Sequence, residues 1–312
     1  MHEIILHHYP TSPFAEKARL MLGFKQLSWR SVQIPPVMPK PDLTALTGGY
    51  RRTPVLQIGA DVYCDTALMA RRLEAEKIAP ALFPEGQEFV AATLAQWADS
   101  VLFLHAVSLV FQPESMAMRF AKVPKEFVQA FSNDRAALFS SGTVSRIPLE
   151  QAKSHWPVLM ARLQQQLMRG EGEFLLGSAP CIADFSVAHC LWFLKGTPVT
   201  APLVDDYPDV AAWLGKVLAV GHGSMSELAA DDAVSIAREA SPAELPDEPF
   251  FEPNGFEAGQ SVTIAAADYG TEPVAGELVF AGVEELILRR EDDRAGVVHV
   301  HFPRIGYRID PR

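Results

Sequence analysis

Over residues 1–82 the apolar positions switch between strand and helix spacing. "EIILHHY" is a short apolar run with β-branched residues, ending at Pro10. From Pro13 the period changes. Phe14, Ala18, Met21 and Leu22 recur at helical spacing with Glu16, Lys17 and Arg19 opposite, and Gly23 closes the helix. "SWRSVQI" alternates as a second strand, and the Pro-rich "PPVMPKP" leads into a loop or short helix. "TPVLQIG" and "DVYCD" predict a hairpin turning at Gly59-Ala60-Asp61. "TALMARRLEAEKI" predicts an amphipathic helix with Leu68 and Leu73 on one face. This order, β-α-β followed by β-β-α, implies a small mixed sheet with helices packed on it.

Beyond "APALFPEG" the strand signals stop. "FVAATLAQWADSVLFLHAVSLVF", "KEFVQAFSNDRAALF", "LEQAKSHWPVLMARLQQQLM", "ADFSVAHCLWFLKG" and "DVAAWLGKVLAV" all read as helices, so residues 83–240 are expected to form an all-helical domain. A Pro-rich acidic linker follows. The last stretch is rich in Val and Ile and broken by Gly and Asp, which predicts a small all-β module of about five short strands within residues 241–312.

Composition narrows the function. The net charge of −11 argues against a nucleic-acid partner, because phosphate binding needs a concentrated basic face. Acidic residues dominate after Leu245, where no Lys occurs; such a tail serves solubility or a basic partner. No apolar run is read as long enough to span a membrane, since "DSVLFLHAVSLVFQ" is bounded by Asp99 and Gln112. "MHEIILHHYP" is too short and polar for a signal peptide. Cys64, Cys181 and Cys190 form no CxxC pair, so neither a disulfide framework nor a structural zinc site is expected, and a cytoplasmic setting is the default.

Three short stretches could carry chemistry. Ser12 before Pro13 is a standard helix start, yet free N–H groups and the dipole at that position also favour an anion, and a hydroxyl there can donate to a thiolate. Thr53-Pro54 opens a strand; a cis bond there would turn the neighbouring N–H and C=O towards a peptide-like ligand, and an ordinary strand start is the simpler reading. Asp65 and Thr66 begin a helix, either as caps or as a carboxylate site. His7 and His8 are expected to alternate between core and surface, and Cys64 and Cys190 to be small buried hydrophobes. His299 and His301, at i and i+2, share a strand face and could hold a metal, but no third ligand is evident, so no metal site is expected. Trp97, Phe103, His105, Phe111 and Trp192 are candidates for an apolar pocket between domains or, at helical spacing, for core.

"YPTSPFAEKARLML", "RRTPVLQIG" and "CDTALMARRLE" resemble, in order and spacing, the three glutathione-site segments of cytosolic glutathione transferases. "GSAPCIADFSVAH" is similar to that family's capping-box segment, and "DDYPDVAAWLGKV" to its last core helix. The resemblance implies an α/β thioredoxin-like glutathione-binding domain followed by an all-α bundle, here with a small all-β C-terminal extension. It implies a cytoplasmic, homodimeric glutathione S-transferase-like enzyme of detoxification, with glutathione as cosubstrate and an apolar electrophilic small molecule as acceptor. Ser12 would take the catalytic position; Thr53 and cis Pro54 would hold the cysteinyl part, Asp65 and Thr66 the γ-glutamyl end, and Arg51 or Arg52 the glycyl carboxylate.

The departures also carry information. "TSPFAE" is closest to the "CPFAE" of cysteine-bearing omega-type enzymes, and a serine oxygen cannot form their mixed disulfide. Conjugation, addition or isomerisation by glutathione itself stays open. Thr11 is a competing donor, and Asp65 is shorter than the usual Glu. Cys181 replaces the Ser or Thr of the capping box, whose other half, Asp184, is kept. The alternative is a non-catalytic binding or scaffold protein whose acidic C-terminal module recruits a partner.

Overall fold

The computed structural model describes residues 3–312. The chain begins with β1 (Ile4–His8), α1 (Pro13–Phe24), β2 (Ser28–Gln33), α2 (Pro41–Thr47), β3 (Val55–Ile58), β4 (Asp61–Cys64) and α3 (Thr66–Glu76). β1 lies between parallel β2 and antiparallel β3, and β3 pairs with β4 in the expected hairpin. All five β1 side chains are buried because both faces of the sheet are covered. Ile4 and Leu6 face α1, α3 and the helical domain, while Ile5 joins a second core with α2 and more C-terminal elements.

His7 and His8 are therefore both interior, not alternately in and out. His7 Nε2 lies 2.8 Å from Gln57 Oε1 and His8 Nε2 lies 2.9 Å from Ser31 Oγ. Burial lowers both imidazoles to about 4. Gly23 does not close α1, which runs on to Phe24. A Cβ at Gly23 would come within 2.1 Å of the Gly221 carbonyl oxygen, so this glycine instead admits a returning strand of chain.

The helical region contains α4 (Glu88–Trp97), a π-helical turn (Ala98–Leu102), α5 (Phe103–Val110), α6 (Pro113–Arg119), α7 (Lys125–Leu138), α8 (Leu149–Arg169), α9 (Ile182–Leu194), α10 (Pro202–Asp205) and α11 (Pro208–Leu218). α4, the π turn and α5 are continuous from Glu88 to Val110. That helix is long and apolar enough to cross a membrane, contrary to the expectation that no run is. Its partners mark it as a core helix. Asp99, in the π turn, accepts from buried Lys17 Nζ at 2.5 Å and pairs with buried His189 Nε2 at 2.9 Å, joining α1, the π turn and α9.

The capping box at α9 keeps its full geometry with cysteine in the hydroxyl's place. Asp184 Oδ2 accepts from the Cys181 amide at 3.0 Å and the thiol at 3.3 Å, and Oδ1 accepts from the Leu175 amide and Trp213 Nε1 at 2.9 Å each. Burial and the Asp184 charge push the Cys181 thiol up to about 12. All three cysteines are free and buried.

After α11 the chain leaves the helical domain, earlier than the expected boundary at 240. β5 (Ser224–Glu227) adds in parallel to β2, and α12 (Ala230–Glu239) packs Ala233, Val234 and Ala237 into the second core. The five expected strands follow as β6 (Ser261–Ala266), β7 (Val274–Ala281), β8 (Glu285–Asp292), β9 (Gly296–Pro303) and β10 (Tyr307–Pro311). They are not a module apart. β9 pairs in parallel with β4, giving one ten-stranded sheet in the order β10-β6-β7-β8-β9-β4-β3-β1-β2-β5. Alternation and turn residues reveal a strand, but not which distant edge it completes.

Replacing Asp184 by Ala would strand three N–H donors in the interior. Urea unfolding is expected to show a loss of about 3 kcal/mol or more, since each unsatisfied buried polar group costs about 1–3 kcal/mol.

Candidate functional site

Ser12 caps α1 from an extended backbone conformation, its Oγ accepting from the Ala15 amide at 3.3 Å, with Pro13 at the first helical position. The hydroxyl is nearly buried, at 2% exposure, on the wall of a cavity of about 320 Å³. As the amide occupies only an acceptor site, the Ser12 proton stays available to a bound acceptor. Thr11 lines the same cavity but is exposed. Opposite them stands an aromatic wall that includes Phe103, Phe111, Phe131 and Phe193. Of the five suggested pocket residues, Phe103 and Phe111 line this cavity, whereas Trp97, His105 and Trp192 do not. His105 is held instead by the Val101 carbonyl and His155.

A second cavity, of about 490 Å³, adjoins the first and shares Phe14, Arg52, Thr53 and Tyr269 with it. Pro54, Asp65 and Thr66 line it, and the Thr53–Pro54 bond is cis. The residues singled out from the sequence thus fall on one cleft: Ser12 and Arg51 at the aromatic end, Pro54, Asp65 and Thr66 at the other end, Arg52 and Thr53 between. Asp65 caps α3 at φ +75°, a sparsely populated conformation for a residue with a Cβ, of the kind that persists where the surroundings over-determine it. Its Oδ1 accepts from the Ala67 amide at 3.0 Å and its Oδ2 from Tyr307 Oη at 3.1 Å, with Arg52 Nη1 at 3.8 Å. Tyr307 has a single proton and gives it to Asp65, so Tyr50, 2.7 Å away, donates to Tyr307. Burial raises both phenols well above their ordinary range, and they stay protonated donors.

The two arginines are heavily engaged. Arg51 pairs with Glu272 at 2.5 Å and with Asp134 at 3.1 Å. Arg52 binds Asp268 and the Tyr269 carbonyl and stacks 4.1 Å from the Tyr269 ring. Lys40, from the "PPVMPKP" stretch, was not anticipated. It is buried on the Ser12 cavity, donates to Thr53 Oγ1 at 3.0 Å, and has no carboxylate in ion-pair range among the described residues. Burial, aided by Arg135 and Arg51, lowers its amine to about 8.

Tyr269 and Tyr307 were missed as well. Both belong to the C-terminal segment that the sequence set apart as a module of unknown role, and both line the cavity that holds Asp65. No sequence signal links them to Asp65, since the contact depends on β9 finding β4. The C-terminal strands therefore form part of the wall of the cleft.

Residues 6–80 match the family model described as glutathione S-transferase, N-terminal domain, and residues 149–216 that described as glutathione S-transferase, C-terminal domain. No match was found among curated proteins. Among solved structures, a GST-like protein from Pseudomonas syringae is 64% identical over 100% of both chains, with a TM-score of 0.85. A glutathione transferase from Phanerochaete chrysosporium is 19% identical over 70% of this chain and 98% of its own, with a TM-score of 0.55. A glutathione S-transferase from Rhodospirillum rubrum F11 is 17% identical over 69% of this chain and 87% of its own, with a TM-score of 0.50. The two distant likenesses concern the fold alone. With both domain models matched and identity at that level over the whole length, the chain belongs to the glutathione S-transferase family.

Proposed function

We propose that the protein is a glutathione transferase in which the Ser12 hydroxyl stabilises the glutathione thiolate for attack on an apolar electrophile. The observation that carries this reading is the cleft itself: a buried serine at a helix N-terminus on the wall of an aromatic cavity, which opens past Arg52 and Thr53 into a second cavity that holds Asp65. The γ-glutamyl ammonium meets Asp65, with Thr66 beside it. Thr53 and Pro54 receive the cysteinyl part. The glycyl carboxylate goes to Lys40, the buried amine with no carboxylate in ion-pair range among the described residues, with Arg51 and Arg52 flanking. The thiol proton leaves to solvent, and the thiolate keeps its charge next to the Ser12 O–H and the amide dipoles of α1. The aromatic wall selects the acceptor by shape and apolarity, and the thiolate sulfur then bonds to its electrophilic atom. That bond either displaces a leaving group, which departs with its bonding pair, or, in an addition, pushes a π pair onto a neighbouring atom that takes a proton from solvent. A cytoplasmic homodimer serving detoxification completes the proposal, on family likeness alone.

Calorimetry at millimolar glutathione should detect binding, and silence there would remove the basis of the proposal. In Ser12→Ala the bound thiol's pKa, followed by thiolate absorbance, is expected to rise by about one to two units, the worth of one charge-assisted hydrogen bond. An unchanged value, with a rise in Thr11→Val instead, would give the role to Thr11.

Lys40 binds an anion only when protonated, so affinity for S-methylglutathione, which has no thiol to titrate, should be level below pH 8. Above its pKa of about 8 the affinity should fall, and Lys40→Met should be weak at all pH values and largely lose that step.

Tyr307→Phe removes the donor to Asp65 Oδ2 while keeping the ring. The KM for glutathione is expected to rise about 3- to 10-fold with kcat little changed, as for loss of one buried hydrogen bond worth about 1 kcal/mol.

A further inference from the structure

The seam between the N-terminal strands and the C-terminal ones holds a cluster that the transferase reading does not use. Parallel pairing of β4 with β9 sets Asp61 opposite His299 and Tyr63 opposite His301. Asp61 Oδ1 lies 3.0 Å from His301 Nε2 and 3.8 Å from His299 Nδ1, and the three donor atoms all fall within 4.8 Å of one another. A divalent ion with bonds of about 2.0–2.1 Å and tetrahedral angles holds its ligand atoms about 3.4 Å apart. The two observed separations bracket that spacing. Asp61 thus stands where a third ligand would, a neighbour that the sequence did not disclose.

The surroundings orient the set as outer partners orient metal ligands. Glu285 Oε1 lies 2.6 Å from His301 Nδ1, which places the proton on that nitrogen and directs the Nε2 lone pair at the cluster. The Tyr63 ring stacks on His301 with centroids 4.2 Å apart. Asp61 Oδ2 accepts from the Ala243 amide at 2.9 Å, leaving Oδ1 for the histidines. A charged His301 between Asp61 and Glu285 would account for those three groups without an ion. It leaves His299 unexplained: its Nδ1 is buried, faces Asp61, and has no hydrogen-bond partner. An unsatisfied buried nitrogen aimed at a carboxylate and a second imidazole is what a cation would satisfy.

We propose that Asp61, His299 and His301 bind one divalent first-row transition ion, such as Zn²⁺, with water in the remaining position. Two imidazoles and a carboxylate are a ligand set for such ions rather than for calcium or magnesium, which take oxygen donors. The ion bridges β4 to β9 where only three residue pairs join the two halves of the sheet, and it acts as a staple. Nothing in this proposal depends on glutathione.

The test is calorimetric titration of ZnCl₂ into the full chain, free of histidine tags and previously stripped by a chelator, with melting temperature followed alongside. Saturable binding of one ion per chain and a zinc-dependent rise in melting temperature are expected. His299→Ala removes a ligand that has no hydrogen bond at Nδ1 to lose, so the fold should persist by circular dichroism while both effects disappear. Glu285→Gln should weaken binding by about 10- to 100-fold. Absence of saturable binding in the unaltered chain at micromolar zinc would overturn the proposal, and so would one-site binding undiminished in both His299→Ala and Asp61→Asn.

Discussion

Pairing of β4 with β9 is the contact on which the rest of the architecture depends. Without it β4 would be a free edge of a five-stranded sheet, with all four of its residues buried only because a neighbour covers them. With it, five C-terminal strands extend that sheet and close the second core over α2 and α12. The same pairing brings Tyr307 and Tyr269 to the cleft, so the wall around Asp65 is a product of sheet register and not of a local loop.

A second constraint fixes the other end of the cleft. The Ser12 hydroxyl reaches the cavity only because α1 points its N-terminus there, and α1 is held by Lys17, fully buried, against Asp99. Burial by itself would raise the Asp99 carboxyl, but Lys17 and the His189 contact outweigh it and keep the group below its usual range. The charge is thus retained in the interior of a helix apolar enough to pass for a membrane span. One ion-paired carboxylate ties the thioredoxin-like part, through α1, to α9 in the middle of the helical domain.

What could be read from the sequence was what local backbone chemistry decides. Ser12-Pro13, Thr53-Pro54 and Asp65-Thr66 are turns and caps whose residue types are dictated within a few positions, and all of them reached the cleft. The strand count of the last segment was legible for the same reason. Lys40 was not, because a lysine in a Pro-rich loop carries no sign of burial. His7 and His8 were misplaced because alternation assumes one wet face, and here both faces are covered. Tyr307 and Asp61 escaped because their partners lie at the far end of the chain, and side-chain periodicity holds no record of which strands will become neighbours.

That long separation has a consequence for how the protein is made. As the chain emerges from the ribosome, Asp61 is synthesised long before His299, and β4 must remain without its neighbour until α12 and β6 through β8 have followed. Throughout that interval the nascent N-terminal sheet presents an open apolar edge to every other chain nearby, the state most exposed to mispairing. Demand for chaperone protection should therefore be set by the time spent translating everything between β4 and β9, the helical domain being the larger share.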